Sequence, residues 1–171
     1  AAIRIQVPCR LNGVYEGLLR SAGVQMQRGR ARCVAANEVE VNGVRSRAER
    51  IVVATGGWPV RPGFLGSDLT ITSNEIFDLA RFPARLVVVG GGYIACEFAS
   101  IFRGLGAQVS LLYRGEQILR GFDDDVRGFI AGEMRKKGVD LRVQCDIDQV
   151  RRNGDLLEVT LRDGTRLERS E

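Results

Sequence analysis

A glycine-rich segment at residues 86–102, LVVVGGGYIACEFASIF, has the residue types and spacing that bind a nucleotide diphosphate. Gly90 permits a tight turn after an apolar strand, and Gly92 lets the backbone approach a pyrophosphate because no Cβ stands in the way. Ala95 is small enough for the following helix to pack closely on that strand. The free N–H groups and the dipole of the helix then favour a diphosphate at its start. The segment therefore predicts a dinucleotide site, and the alternative is a glycine turn without a ligand.

Two arginines after the next predicted strand indicate which dinucleotide binds. An NAD site normally carries an acid at the end of that strand to hold the ribose 2′-OH. Here the position is Tyr113, followed by Arg114 and, six residues later, by Arg120. Guanidinium groups bind a 2′-phosphate through paired, charge-assisted hydrogen bonds, whereas a carboxylate would repel it. The sequence thus favours NADPH over NADH, unless both arginines are only solvated loop charges in an arginine-rich chain.

The predicted helix carries two further candidates whose roles the spacing leaves open. Glu97 falls just beside the apolar face of this helix, so it could point into a cleft or could be a solvated charge. Tyr93 follows the second glycine of the motif, where its ring could cover the approach to a cofactor or could be a partly buried aromatic.

The elements that must position these residues read as an α/β domain from residue 73 onward. Strands at 86–89, 109–113 and 141–144 alternate with helices at 92–105 and 124–137, which predicts a Rossmann-like parallel βαβαβ sheet. Asp123 is predicted to cap the second helix rather than to bind a metal. Alternating segments at 147–151, 156–161 and 165–167 are separated by hairpin signals and predict an antiparallel β-meander.

Residues 1–72 are predicted to form a smaller, β-rich unit with a linker. Residues 11–21 have helical spacing, and short alternating segments surround a hairpin turn at Asn42-Gly43. The run RIVVATGG at 50–57 is predicted to be a buried strand that ends in a glycine turn. Residues 58–72 contain two prolines and two glycines and read as a connection.

Composition excludes several classes of protein and of site. No stretch approaches the ~20 apolar residues of a membrane span, and no signal peptide is recognised, so a cytoplasmic location is expected. The chain has no histidine, which removes the commonest general base and metal ligand, and no metal is expected. The four cysteines have no metal or redox spacing and are predicted to be small buried residues. Few aromatic residues and no one-sided basic stripe argue against a nucleic-acid partner.

With these residues in place, the chain resembles the glutathione reductase branch of the pyridine nucleotide–disulfide oxidoreductases. The similarity runs from about residue 10 to the end. It rests on three segments in order, which are RIVVATGGWPVRP, VVVGGGYIACEFASIFRGLGA and LYRGEQILRGFDDDVR. In the third segment Arg114 and Arg120 have the spacing of that family's NADPH arginine pair.

The resemblance implies roles at matching positions. Tyr93 resembles the lid tyrosine that moves aside when nicotinamide enters, and Glu97 resembles the helix glutamate near nicotinamide and flavin, so these two are the implied catalytic residues. The implied NADPH contacts are Gly90, Gly92, Tyr93, Ile94, Glu97, Arg114 and Arg120, and the implied FAD contacts are Ala31, Thr55 and Gly56. The implied reaction is NADPH- and FAD-dependent reduction of glutathione disulfide by a homodimer.

Departures from the family pattern are equally clear. The family's N-terminal GxGxxG turn, its Cys-x4-Cys redox pair and its catalytic histidine are not in this sequence. The chain is therefore predicted to be an internal fragment, inactive alone, with residues 1–72 from the C-terminal part of an FAD-binding domain. Residues 73–171 are predicted to be an NADPH-binding domain that lacks its last strand. The alternatives are a stand-alone NADPH-binding module, or a sister reductase that resembles trypanothione or mercuric reductase.

Overall fold

The chain forms two compact units in a computed structural model, Ala1–Gly56 and Gly57–Glu171. The structure describes the backbone of residues 2–170 and the side chains of residues 10–167. Within residues 2–170 it holds no helix whose length and apolar character would let it span a bilayer.

The first unit contains one helix and one small sheet. Its elements are α1 (Ala2–Ser21), β1 (Ala31–Ala35), β2 (Glu38–Val41) and β3 (Val44–Arg47). The three strands are antiparallel in the order β1-β2-β3, and the predicted hairpin turn lies between β2 and β3. Asn42 and Gly43 have φ angles of 51° and 81°, which suit a two-residue turn whose twist matches the strands.

The predicted buried strand at residues 50–57 is wrong. The structure places no strand there, and the side chains of Val52 and Val53 are 86% and 71% exposed. A strand is stable only when a neighbour pairs with its backbone, and no described strand pairs with this segment. The apolar run predicted burial, but burial also needs a sheet that can accept the run.

The second unit has the predicted α/β fold. Its first part is β4 (Arg85–Val89), α2 (Tyr93–Gly104), β5 (Gln108–Leu112), α3 (Asp124–Lys136) and β6 (Asp140–Arg142). β4 pairs with β5 and β5 with β6, both in parallel, so the sheet order is β4-β5-β6. The second part is an antiparallel meander of β7 (Ile147–Asn153), β8 (Leu156–Leu161) and β9 (Arg166–Ser170). The predicted fold class, a parallel βαβαβ sheet followed by a meander, is confirmed.

The central strand β5 connects two apolar clusters. Leu111 packs with α2, α3 and Ile118 on one side, whereas Leu112 packs with the meander residues Ile147 and Val150. Leu111, Leu112 and Ile118 are 0% exposed. Because successive strand residues point to opposite faces, a strand that is covered on both faces must be apolar at consecutive positions.

The segment from Gly57 packs with the second unit, although it was predicted to end the first. The N–H of Val150 donates to the carbonyl of Leu65 over 2.8 Å, and Phe64 and Leu69 pack against the meander cluster. The compact units therefore divide at Gly56/Gly57, whereas the predicted boundary follows residue 72. The assignment of the two parts to an FAD-binding and an NADPH-binding domain stays a prediction.

Short-range contacts correct two smaller predictions. The sequence favours Ser73 as the N-cap of a short helix at 74–80, but the structure has a 3-10 helix at Glu75–Asp78, whose N-cap residue, Asn74, makes no side-chain cap. The N–H and Oγ1 of Thr72 both donate to the Glu75 carboxylate over 2.6 Å, and these bonds hold the pKa of Glu75 below its ordinary value. Cys33 is exposed rather than buried, while burial raises the pKa of the Cys96 and Cys145 thiols. The side chain of Cys9 lies outside the described residues.

The cap of α3 gives a test of this local structure. Asp123 Oδ1 accepts hydrogen bonds from the N–H groups of Asp125 and Val126 over 3.0 and 3.3 Å. We expect Asp123→Ala to lower the free energy of unfolding by about 1 kcal/mol in a urea titration, because both N–H groups lose their acceptor. Asp123→Asn keeps an acceptor oxygen and should lose far less. Equal stability of the two variants would show that the cap does not contribute.

Candidate functional site

The candidate site starts at the glycine turn, residues 90–92, between β4 and α2. Gly90 has φ +142°, and its N–H donates to the carbonyl of Leu112 over 2.9 Å. This bond joins the turn to the end of β5, because parallel strands bring their carboxyl ends to the same edge of a sheet. A Cβ on Gly90 would lie 3.4 Å from the Cβ of Ala95, so α2 approaches the turn as closely as a small residue at position 95 allows.

Gly92 leaves the start of α2 open. It is the N-cap residue and makes no side-chain cap, and a Cβ built on it would meet nothing within 4 Å. The N–H of Cys96 donates to the carbonyl of Gly92 over 3.2 Å, so the N–H groups before Cys96 have no partner within the helix. Unpaired N–H groups and the positive end of the helix dipole attract an anion. The geometry fits a diphosphate.

Within the glycine turn, Gly91 is the residue whose neighbours leave no space for a side chain, although the GxGxxG spacing does not single it out. It is buried, and a Cβ on it would lie 2.5 Å from the ring of Tyr113. Gly115 also lies close to that ring, since a Cβ on it would be 2.6 Å from a ring carbon of Tyr113. The Tyr113 ring therefore packs closely against both glycines. The sequence contains one signal for this role, because Gly91 is a third glycine between the two, Gly90 and Gly92, that the motif needs.

The residues that follow β5 form an arginine loop, which we define as residues 113–122. The N–H of Leu119 donates to the carbonyl of Gly91, and Leu119 has φ +58°, a left-handed conformation that is uncommon for leucine. Two residues of the loop thus contact Gly91, one through its ring and one through its backbone. Arg114 directly follows Tyr113 in the chain, and Arg120 directly follows Leu119.

Arg114 and Arg120 are both exposed, and within the described residues neither forms an ion pair or hydrogen bond. Two of the nearby acids are engaged elsewhere, since Asp123 caps α3 and Asp124 pairs with Arg127. Glu116, in the loop itself, is exposed. The loop therefore presents two guanidinium groups, with their donors available, beside the glycine turn. An anion of two charges is the ligand that such an arrangement suits.

The other predicted cofactor contacts lie at the start of α2. Tyr93 and Ile94 are 58% and 43% exposed, next to Gly92. Glu97 is exposed one turn further along the helix. The structure thus brings the predicted dinucleotide residues to one edge of the sheet, while the role of Glu97 stays open between a cleft residue and a solvated charge.

The residues predicted to contact FAD lie in the first unit. Ala31 is in β1, and Thr55 and Gly56 are in the irregular segment after residue 50. All three are exposed, and the described contacts do not bring them together. Their role stays a prediction from the family resemblance.

An apolar groove of about 470 Å³ also borders the turn, along the edge of β4 that β5 does not cover. Its walls include Phe64, Ile76, Val88 and Val159, and Arg61 is the one charged residue among its described lining. Such a surface suits apolar groups rather than phosphates. The groove and the two loop arginines are therefore distinct features of this unit.

Comparisons with known proteins agree with the fold and the motifs. A family model described as pyridine nucleotide-disulphide oxidoreductase matches residues 6–170. A glutathione reductase from Burkholderia cepacia is 46% identical over 159 residues, which cover 93% of this chain and 35% of that protein. A trypanothione reductase from Leishmania donovani is 46% identical over 110 residues, covering 63% of this chain and 22% of that protein.

The chain also resembles a solved structure in fold. The copper(II) complex of the HOCl-induced flavoprotein disulfide reductase RclA from Escherichia coli has a TM-score of 0.76 at 25% identity. The match covers 93% of this chain and 37% of that protein. The chain thus spans about a third of the length of these two relatives, the Burkholderia cepacia and Escherichia coli proteins.

The packing of Tyr113 on Gly91 can be tested by stability. Gly91→Ala would force the ring or the turn to shift, and we expect a loss of about 1–3 kcal/mol in the free energy of unfolding, measured by urea titration. Gly92→Ser is the matched control, because its new side chain meets open space and can cap α2. If the Gly91 variant were as stable as the control, Tyr113 would not pack as described.

Proposed function

The chain belongs to the pyridine nucleotide-disulphide oxidoreductase family, and we propose that it supplies the NADPH-binding part of an NADPH- and FAD-dependent glutathione-disulfide reductase. The observation that carries the NADPH assignment is the placement of Arg114 and Arg120. Each follows a residue that contacts Gly91, and each has an unengaged guanidinium group. In that position, beyond β5, an NAD site would carry an acid for the ribose 2′-OH.

The proposal gives each group of residues one task. The glycine turn and the first N–H groups of α2 hold the diphosphate, while Arg114 and Arg120 bind the 2′-phosphate. Tyr93 covers the approach to the turn, and Ile94 and Glu97 lie along the same helix, toward the nicotinamide. When bound, NADPH would supply a hydride, and its two electrons, by way of FAD and an enzyme disulfide, would reduce the substrate disulfide to two thiols with the uptake of one further proton. Ala31, Thr55 and Gly56 are the proposed FAD contacts.

Glutathione disulfide is the proposed substrate because a relative named glutathione reductase aligns with more of the chain than a relative named trypanothione reductase does. The relative named glutathione reductase aligns with 93% of the chain, whereas the equally identical trypanothione reductase aligns with 63%. We also propose a cytoplasmic homodimer, on the basis of the similarity to glutathione reductase. A stand-alone NADPH-binding module is the second candidate, since the turn and the arginine loop both lie in one compact unit.

The selectivity of cofactor binding tests the proposal. We expect Arg114→Glu to weaken NADPH binding at least about tenfold, since one charge-assisted pair is worth roughly 1.5–3 kcal/mol. Binding of NADH should change little, because NADH carries no phosphate at that position. The measurement is the dissociation constant of each dinucleotide by titration calorimetry.

The control for this experiment is Arg151→Glu. Arg151 is an exposed residue of β7, so its replacement changes the net charge of the chain equally, away from the glycine turn and the arginine loop. This variant should bind both dinucleotides as the unmodified chain does. An equal loss of NADPH and NADH binding in Arg114→Glu would refute the 2′-phosphate role.

The substrate is tested on the whole protein that contains this chain. We expect it to oxidise NADPH faster with glutathione disulfide than with trypanothione disulfide, followed by the absorbance of NADPH. Faster oxidation with trypanothione disulfide would contradict the proposed substrate, and no oxidation with either would favour the module without catalysis.

A further inference from the structure

Arg127, in the first turns of α3, donates hydrogen bonds from its side chain to two backbone carbonyls. Its side chain is 17% exposed. Nε donates to the carbonyl of Ile118 over 2.9 Å, and Nη2 donates to the carbonyl of Gln117 over 3.1 Å. Nη1 pairs with the Asp124 carboxylate. All three nitrogens are therefore engaged within the protein, and Arg127 is not placed to bind a ligand itself.

The two carbonyls that Arg127 binds belong to the middle of the arginine loop. They lie between Arg114 and Arg120 in the chain, next to the buried side chain of Ile118 and the left-handed Leu119. The N–H of Leu119 donates to the carbonyl of Gly91 in the glycine turn. The loop is thus held by two elements, by α3 through Arg127 and by the glycine turn through Leu119. A backbone conformation that is uncommon for leucine persists only where its surroundings determine it.

We propose that Arg127 is a positioning residue for 2′-phosphate recognition, because its guanidinium fork fixes the loop that carries Arg114 and Arg120. This inference rests on the proposed function of those two arginines. Two flexible, exposed side chains bind a phosphate well only when their backbone is already ordered, since ordering on binding costs free energy. The hydrogen bonds of Arg127 order the loop in the folded protein before the ligand binds, so binding does not carry this cost in free energy.

The test measures binding of adenosine 2′,5′-bisphosphate and of AMP to the full chain by titration calorimetry. We expect Arg127→Met, which keeps the volume and removes the donors, to weaken bisphosphate binding about tenfold and AMP binding far less. Arg127→Lys should also lose most of the bisphosphate affinity, because an ammonium group cannot donate to two carbonyls as a planar fork does. Full affinity in Arg127→Lys would overturn the proposal, since charge alone would then suffice.

Arg103→Met is the matched control. Arg103, in the last turn of α2, also donates to two backbone carbonyls, those of Lys137 at 3.0 Å and Ala107 at 3.2 Å. Its loss should lower thermal stability without changing the ratio of bisphosphate to AMP affinity. If that ratio falls equally in Arg103→Met and Arg127→Met, Arg127 is only a structural residue and the proposal is wrong.

The outcomes separate this inference from the proposed function. If the unmodified chain does not prefer the bisphosphate to AMP, the proposed function of Arg114 and Arg120 fails, and this inference fails with it. If the unmodified chain prefers the bisphosphate, and Arg114→Glu removes that preference while Arg127→Met and Arg127→Lys keep it, only the role of Arg127 is refuted.

Discussion

The close approach at Gly91 is the contact on which the rest of the site depends. A side chain at this position would occupy the space of the Tyr113 ring, and the carbonyl of the same residue accepts the N–H of Leu119. One residue without a side chain therefore contacts the arginine loop at two points, Tyr113 and Leu119. The two arginines of the loop lie beside the glycine turn because the residues that precede them in the chain, Tyr113 and Leu119, contact Gly91.

The parallel sheet brings these parts together. β4 and β5 run in the same direction, so the turn after β4 and the loop after β5 emerge at one edge, where Gly90 bonds to Leu112. α2 starts at that edge with unpaired N–H groups, and α3 carries Arg127 back to the loop. Two weak attractions for anions, a helix N-terminus and a pair of guanidinium groups, are thereby combined on one surface.

The sequence predicts the parts of this structure that follow from local rules. Hydrophobic periodicity predicts β4, α2, β5 and α3, and the cap at Asp123 follows from its residue type and position. The segment at 50–57 shows the limit of such rules, because its apolar residues are exposed where no described strand pairs with them. Whether an apolar run is buried depends on partners that are distant in the sequence.

The same limit applies to the site. Gly92, Arg114 and Arg120 can be found from motif and spacing, because each would act on a ligand of known shape. The role of Gly91 depends on packing with residues about 20 to 30 positions away, and the role of Arg127 depends on contacts with residues about 10 positions away. No motif records either contact. The sequence identifies the groups that would touch the dinucleotide, whereas the groups that hold them in place emerge only from the fold.

A crystal structure of the full chain with NADP⁺ would test the central claim most directly. The account predicts the 2′-phosphate oxygens within about 2.7–2.9 Å of the guanidinium nitrogens of both Arg114 and Arg120, with the diphosphate over Gly92. A 2′-phosphate that points into solvent, with neither arginine in contact, would contradict it.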